Sequence, residues 1–104
     1  MALIISSTTN NLIRIQGTAT ELASVYSRLE FNCQPNGVTM EIAFHTYADH
    51  ANYIANNPLP TDLPNSNLIA DIDPLTQTQD LAAAHELAKY HFESYGFNVS
   101  IDLV

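Results

Sequence analysis

The chain is 104 residues long, only 13% of them charged, and eleven acidic side chains against three basic ones give a formal net charge of -8. Arg14, Arg28 and Lys89 are its only fixed cations, so the counterion displacement that drives binding to a phosphate backbone is missing, and anionic lipid repels the chain as well. Expected partners are other proteins or further copies of the chain, with no nucleic acid and no membrane.

An apolar share of 46% argues against disorder, and the length suits one core, so a single compact domain over 1-104 is expected. Neutral Asn, Thr and Ser carry much of the polarity and are cheaper to desolvate than charges, which favours packing against neighbours. The lone Cys33 excludes an intrachain disulfide and the paired-thiol metal motifs. Met1 to Ile5 has no basic n-region, its apolar run is too short for a signal peptide, and no stretch approaches the ~20 apolar residues of a membrane helix. The expected product is soluble and cytoplasmic.

In chain order, Leu3 to Ile5 reads as a short strand, Ser6 to Asn11 as a turn, and Leu12 to Gln16 as a second strand that closes a hairpin. Gly17 breaks it. Thr18-Ala19-Thr20-Glu21 fits a capping box, and Leu22, Val25, Tyr26 and Leu29 recur at helical spacing, so a helix is expected to run from Thr18 to the stop at Gln34-Pro35-Asn36-Gly37. Val38 to His45 alternates as a half-buried strand, with Met40, Ile42 and Phe44 on one face and Glu41, Ala43 and His45 on the other. Tyr47 to Ala55 suits a short helix stopped by Asn56-Asn57-Pro58. Pro58 to Pro64 must be largely extended, and Leu68 to Ile72 reads as a strand.

The last third is the clearest. Helix starts are offered by Asp73-Pro74 and by the Thr76 to Gln79 box. Leu81, Ala84, Ala88, Phe92 and Tyr95 then share one helix face, Gly96 ends the helix, and Phe97, Val99, Ile101 and Leu103 alternate with Asn98, Ser100 and Asp102. The fold class expected is α+β: a mainly antiparallel or mixed sheet with two amphipathic helices on one face.

The chemistry-bearing motifs are incomplete. His85-Glu86 opens like a zinc-protease motif, but Lys89 stands where the second His belongs, and His91 lies about 240° around the helix from His85. His45, Asp49 and His50 form a knot of potential ligands, joined by Glu41 on the His45 face, though spacing alone fixes no geometry. Asp71 and Asp73 have the spacing of a metal-nucleotide pair, and capping explains Asp73 better. Gly17, Gly37 and Gly96 are isolated, so no phosphate loop exists, and nothing sets a His and a carboxylate beside Cys33 or a Ser. The expectation is no enzyme, no cofactor and no metal.

The charge-poor, Asn- and Thr-rich composition, the Ser6-Ser7-Thr8-Thr9-Asn10-Asn11 loop and the compact pattern ending in the strand Phe97 to Val104 resemble small accessory proteins of bacteriophage virions, such as subunits of tails, baseplates or necks. That resemblance implies a structural assembly subunit, made in the host cytoplasm and carried in the virion. Two surfaces are candidates for contact. One is the pre-ordered Pro58 to Pro64 arm with Leu59 and Leu63; the other is the C-terminal strand edge, with Ser100 and Asp102 but no Lys to discourage pairing. The rival reading is a small acidic inhibitor or adaptor seated on a basic protein surface, and a third is a ligand-binding or enzymatic domain built around His45.

Overall fold

The computed structural model describes residues 1-63, 67-71 and 81-103. The chain is a mostly antiparallel α+β fold. Its elements are β1 (Ala2–Ser6), β2 (Ile13–Arg14), β3 (Glu21–Leu22), β4 (Ser24–Cys33), β5 (Thr39–Tyr47), α1 (His50–Ile54), β6 (Asn67–Asp71), α2 (Leu81–Ser94) and β7 (Asn98–Asp102). Five strands make one sheet in the order β6-β5-β4-β1-β7, while β2 and β3 form a separate two-stranded ribbon.

The expected first helix is instead the ten-residue strand β4 at the centre of the sheet. Two periods compete in this stretch. The helical one links Leu22, Val25, Tyr26 and Leu29; the strand one links Val25, Ser27, Leu29 and Phe31, which all fall on the inner face. The strand wins because Tyr26 is buried too, on the opposite face, so both sides of β4 are covered and the alternation is hidden. The capping-box residues serve a turn. The Thr18 hydroxyl donates to the Ile15 carbonyl at 3.0 Å and accepts from the Thr20 amide at 3.2 Å, with Gly17 at φ +77°. The Gln34 to Gly37 stop therefore closes a β4-β5 hairpin, where the Asn36 side chain accepts from the Val38 and Thr39 amides.

The expected β1-β2 hairpin is also absent. β1 pairs with β4 on one side and β7 on the other, as suits a continuous apolar run buried inside a sheet. β2 pairs with β3, Ile13 opposite Leu22 and Arg14 opposite Glu21. The expected strands near 38-45 and 68-72, the short helix, and the C-terminal helix and strand are all present among the described residues. The helix starts at Asp73-Pro74 and Thr76 to Gln79, with Ile72 and Pro64, lie outside them.

One layer of core lies between α2 and the inner face of the sheet. Ala84, Ala88 and Phe92 from the helix meet Leu3, Ile5, Val25, Leu29 and Ile42, and the rings of Phe92 and Phe44 pack edge to face at 5.1 Å. Leu81 and Tyr95, expected on the same stripe, are 42% and 46% exposed at the two ends of the helix. The expected pair of helices on one face is not what forms. Of the two described helices, α2 covers the inner face, and α1 lies against the outer one, where Tyr53 and His50 pack on Tyr26. No helix of the described residues is long and apolar enough to cross a membrane.

Candidate functional site on the outer face of the sheet

Register builds the site. On the outer face Tyr26 lies opposite Tyr47 and Arg28 opposite His45, while Glu30 lies opposite Ala43. Asp49 then starts α1 by accepting from the Asn52 backbone and side-chain nitrogens, both at 2.8 Å, which also holds its carboxyl below the ordinary value of 3.8. That cap swings Tyr53 over the strands. Its ring packs on Tyr26 at 5.9 Å and edge to face on Tyr47 at 5.3 Å.

Arg28 is the centre of this cluster. Its guanidinium carbon sits 4.4 Å from the Tyr53 ring centroid, and one terminal nitrogen donates to the Tyr26 hydroxyl at 3.2 Å. Stacking and hydrogen bond together fix the orientation of a side chain that would otherwise sample many rotamers. Beside it is an open hollow of about 320 Å³ lined by Arg28, Glu30, His45, Tyr47 and Tyr53. The Glu30 carboxylate leans to His45 Nε2 at 3.5 Å. Among the described residues Arg28 has no carboxylate within 4.0 Å, whereas Arg14 has Glu21 at 3.8 Å.

The ligand knot does not converge. His45 faces Glu30, Asp49 caps α1, and His50 meets the edge of Tyr26. Glu41 accepts from the Gln34 side chain at 3.2 Å. Among the described residues no three His, Cys, Asp or Glu side chains are grouped as a metal site. Asp71 ends β6, Asp73 lies outside the described residues, and Cys33 is exposed.

His85 points into the core, fully buried, its Nδ1 2.7 Å from the Leu81 carbonyl. The carbonyl can only accept, so Nδ1 carries the proton and Nε2 is left without a partner. His91 is half-buried between the rings of Phe92 and Tyr95, and burial pushes its imidazole below the ordinary 6.5. Both are packing residues of the helix.

The proline arm is fastened to its own domain. Leu59 N–H donates to the Thr46 carbonyl at 2.9 Å, Gln16 N–H to Pro60 at 3.1 Å and Asp62 N–H to Arg14 at 3.0 Å, while the Asp62 carboxylate accepts from the Arg14 amide at 2.8 Å. Leu59 and Leu63 are half-buried, and Leu63 packs against the core. Ser100 and Asp102 stand on the outer face of β7, an edge strand of the sheet among the described residues.

Sequence reasoning missed the cluster of Tyr26, Arg28, Tyr47 and Tyr53. A helix over 18-33 separates Tyr26 and Arg28 by about 200°, whereas a strand sets them on one face. The signal that could have found it is the period-2 run Val25, Ser27, Leu29, Phe31. Comparison with protein-family models, curated proteins and solved structures gives no match to this chain.

Proposed function

We propose that this protein is a non-enzymatic assembly subunit that joins its neighbours by pairing the edge of β7 with a strand of the adjacent subunit. The virion of a bacteriophage is the setting that its composition favours. The observation that carries the reading is the outer edge of the sheet itself. Among the described residues β7 ends the strand order, and its sequence over 98-101, Asn98-Val99-Ser100-Ile101, contains no Lys or Pro of the kind that blunts an edge. Its alternation also suits a second copy. In an antiparallel pair centred on Ser100, Val99 of one copy falls opposite Ile101 of the other, and Asn98 opposite Asp102. No two like charges face each other.

Five residues span only ~17 Å. A pair of such edges buries well under the ~1,200 Å² of a stable interface, so pairing of the isolated chain is weak and gains strength where several contacts act together. The test is sedimentation at increasing protein concentration, comparing the parent with a Ser100→Lys, Leu103→Lys variant. Leu103 is 78% exposed, so neither change disturbs the core. The parent should associate reversibly and with little dependence on salt, since the contact contains no ion pair; the variant should stay monomeric. A parent that remains monomeric at every concentration, or a variant that associates equally well, refutes pairing through this edge.

A further inference from the structure

We propose that the hollow beside Arg28 is a binding site for one carboxylate carried on a flat apolar group. The inference is independent of the β7 edge and stands or falls with the outer face of β4 and β5.

Four observations carry it. The guanidinium is held in place before any ligand arrives, by the Tyr53 ring at 4.4 Å and the Tyr26 hydroxyl at 3.2 Å, so little side-chain entropy is lost on binding. Only one of its five N–H groups is engaged in those contacts, which leaves donors for the paired oxygens of a carboxylate. Glu30, two residues along the same strand, has its carboxylate 3.5 Å from His45 Nε2 and not within 4.0 Å of the guanidinium. The charge therefore adjoins an open volume of about 320 Å³ lined by the charged and polar Arg28, Glu30 and His45 and by Leu29 and the rings of Tyr47 and Tyr53.

Charge selects the ligand class. The chain carries a net -8, and the exposed Glu30 carboxylate lines the hollow itself. Inorganic phosphate doubles its attraction to Arg28 and its repulsion by Glu30 alike. It carries no flat apolar group to lie against the tyrosines, however, and among the described residues no second Lys or Arg lines the hollow to meet its second charge. The geometry points to a single negative charge, with the Tyr47 and Tyr53 rings flanking the group that bears it. Two sources share that chemistry: a free aryl carboxylate, and the terminal carboxylate of a chain ending in an aromatic residue.

The test is a titration of the full chain followed by NMR, reading the Arg28 Nε–H and the Tyr53 ring. Benzoate, benzamide, inorganic phosphate and N-acetylphenylalanine are the probes. Benzoate should shift both signals saturably, while benzamide and phosphate leave them unmoved. N-acetylphenylalanine binding tighter than benzoate identifies a chain end as the source, and the reverse order identifies a free acid. Arg28→Gln should abolish the shifts of Tyr53. Because Arg28 also packs on Tyr53, Glu30→Gln supplies a variant that leaves the packing intact. Removing that charge should tighten benzoate about threefold, the size of a screened repulsion across a few ångströms of solvated surface. Benzamide binding as well as benzoate, phosphate competing equally, or an affinity unmoved by Glu30→Gln would each overturn the assignment.

Discussion

Replacing Gly96 by Ala tests the junction between α2 and β7, because two separate penalties meet there. Gly96 has φ +95°, a conformation that costs an L-residue ~1–2 kcal/mol. It ends the helix, its amide donating to Glu93 at 2.9 Å and the Phe97 amide donating to Phe92 at 3.3 Å. Its carbonyl also accepts from the Thr8 hydroxyl at 3.1 Å, so the turn has little room to relax. A Cβ built at this position runs into the amide end of Asn11. The Asn11 backbone is fixed by reciprocal bonds with Thr8 at 2.9 and 3.2 Å, so the side chain must rotate away, at a further ~1 kcal/mol. Gly96→Ala should thus cost ~2–3 kcal/mol in the parent and ~1–2 kcal/mol in an Asn11→Ala background, where the obstruction is gone. The coupling of ~1 kcal/mol is readable as a difference in urea midpoints across the four-member cycle. Equal costs in the two backgrounds would refute the contact with Asn11. An unchanged midpoint for Gly96→Ala alone would refute the left-handed turn.

Phe92→Ala should cost ~3–5 kcal/mol, since the ring is buried against Phe44, whereas Leu63→Ala should cost ~1–2 kcal/mol because that side chain is only half covered; thermal melts of both decide whether the proline arm contributes to the core. For His91, burial lowers the folded-state pKa below the 6.5 of the unfolded chain. Its contribution to stability is therefore complete above pH 6.5 and is lost as pH falls from 6.5 towards the folded value. The stability difference between the parent and His91→Gln should shrink over that window, and a difference that stays flat from about pH 7.5 to 5 would refute the burial of its imidazole.

The C-terminal helix and strand were legible because each has one buried face. The spacing of Ala84, Ala88 and Phe92 and the alternation of Phe97, Val99 and Ile101 have a single interpretation each. β5 was legible for the same reason. β4 was not, because a strand covered on both faces loses the contrast on which periodicity depends. Tyr26 is as buried as Val25, and Ser27, though polar, is fully buried on the inner face. An apolar residue at 27 would have completed the alternation; a serine there broke it and let the weaker helical spacing through. The capping motif then misled for a chemical reason, since a threonine hydroxyl satisfies a tight turn after Gly17 as readily as the first turn of a helix. The error in β4 carried the candidate site with it. His45 was singled out by residue type alone, and its true neighbours, Arg28 and Glu30, became visible only through strand register.

Register also joins the two proposed contacts. Ser100 pairs with Ile4, Ile4 with Tyr26, and Tyr26 with Tyr47, so one row of outer-face residues runs from the β7 edge to the tyrosines of the Arg28 hollow. Strands lie ~4.8 Å apart, which sets Tyr26 two spacings, ~10 Å, in from β7. A neighbour's strand paired with β7 lies one spacing further out, so a chain end sent across the sheet to Tyr26 would need to span three spacings, ~14 Å, or about four residues of extended chain. The second contact would then be intramolecular, and its effective concentration would multiply two weak affinities without any change of shape in the sheet. The proposed pair would use a guanidinium that, among the described residues, is stacked on an aromatic ring with no carboxylate within 4.0 Å. In an assembly held by neutral strand edges, register along the edge is weakly specified, since a slip of two residues restores the same faces. A single charge pair at a fixed distance from that edge would penalise the slip, because the misaligned carboxylate leaves both charges unmatched.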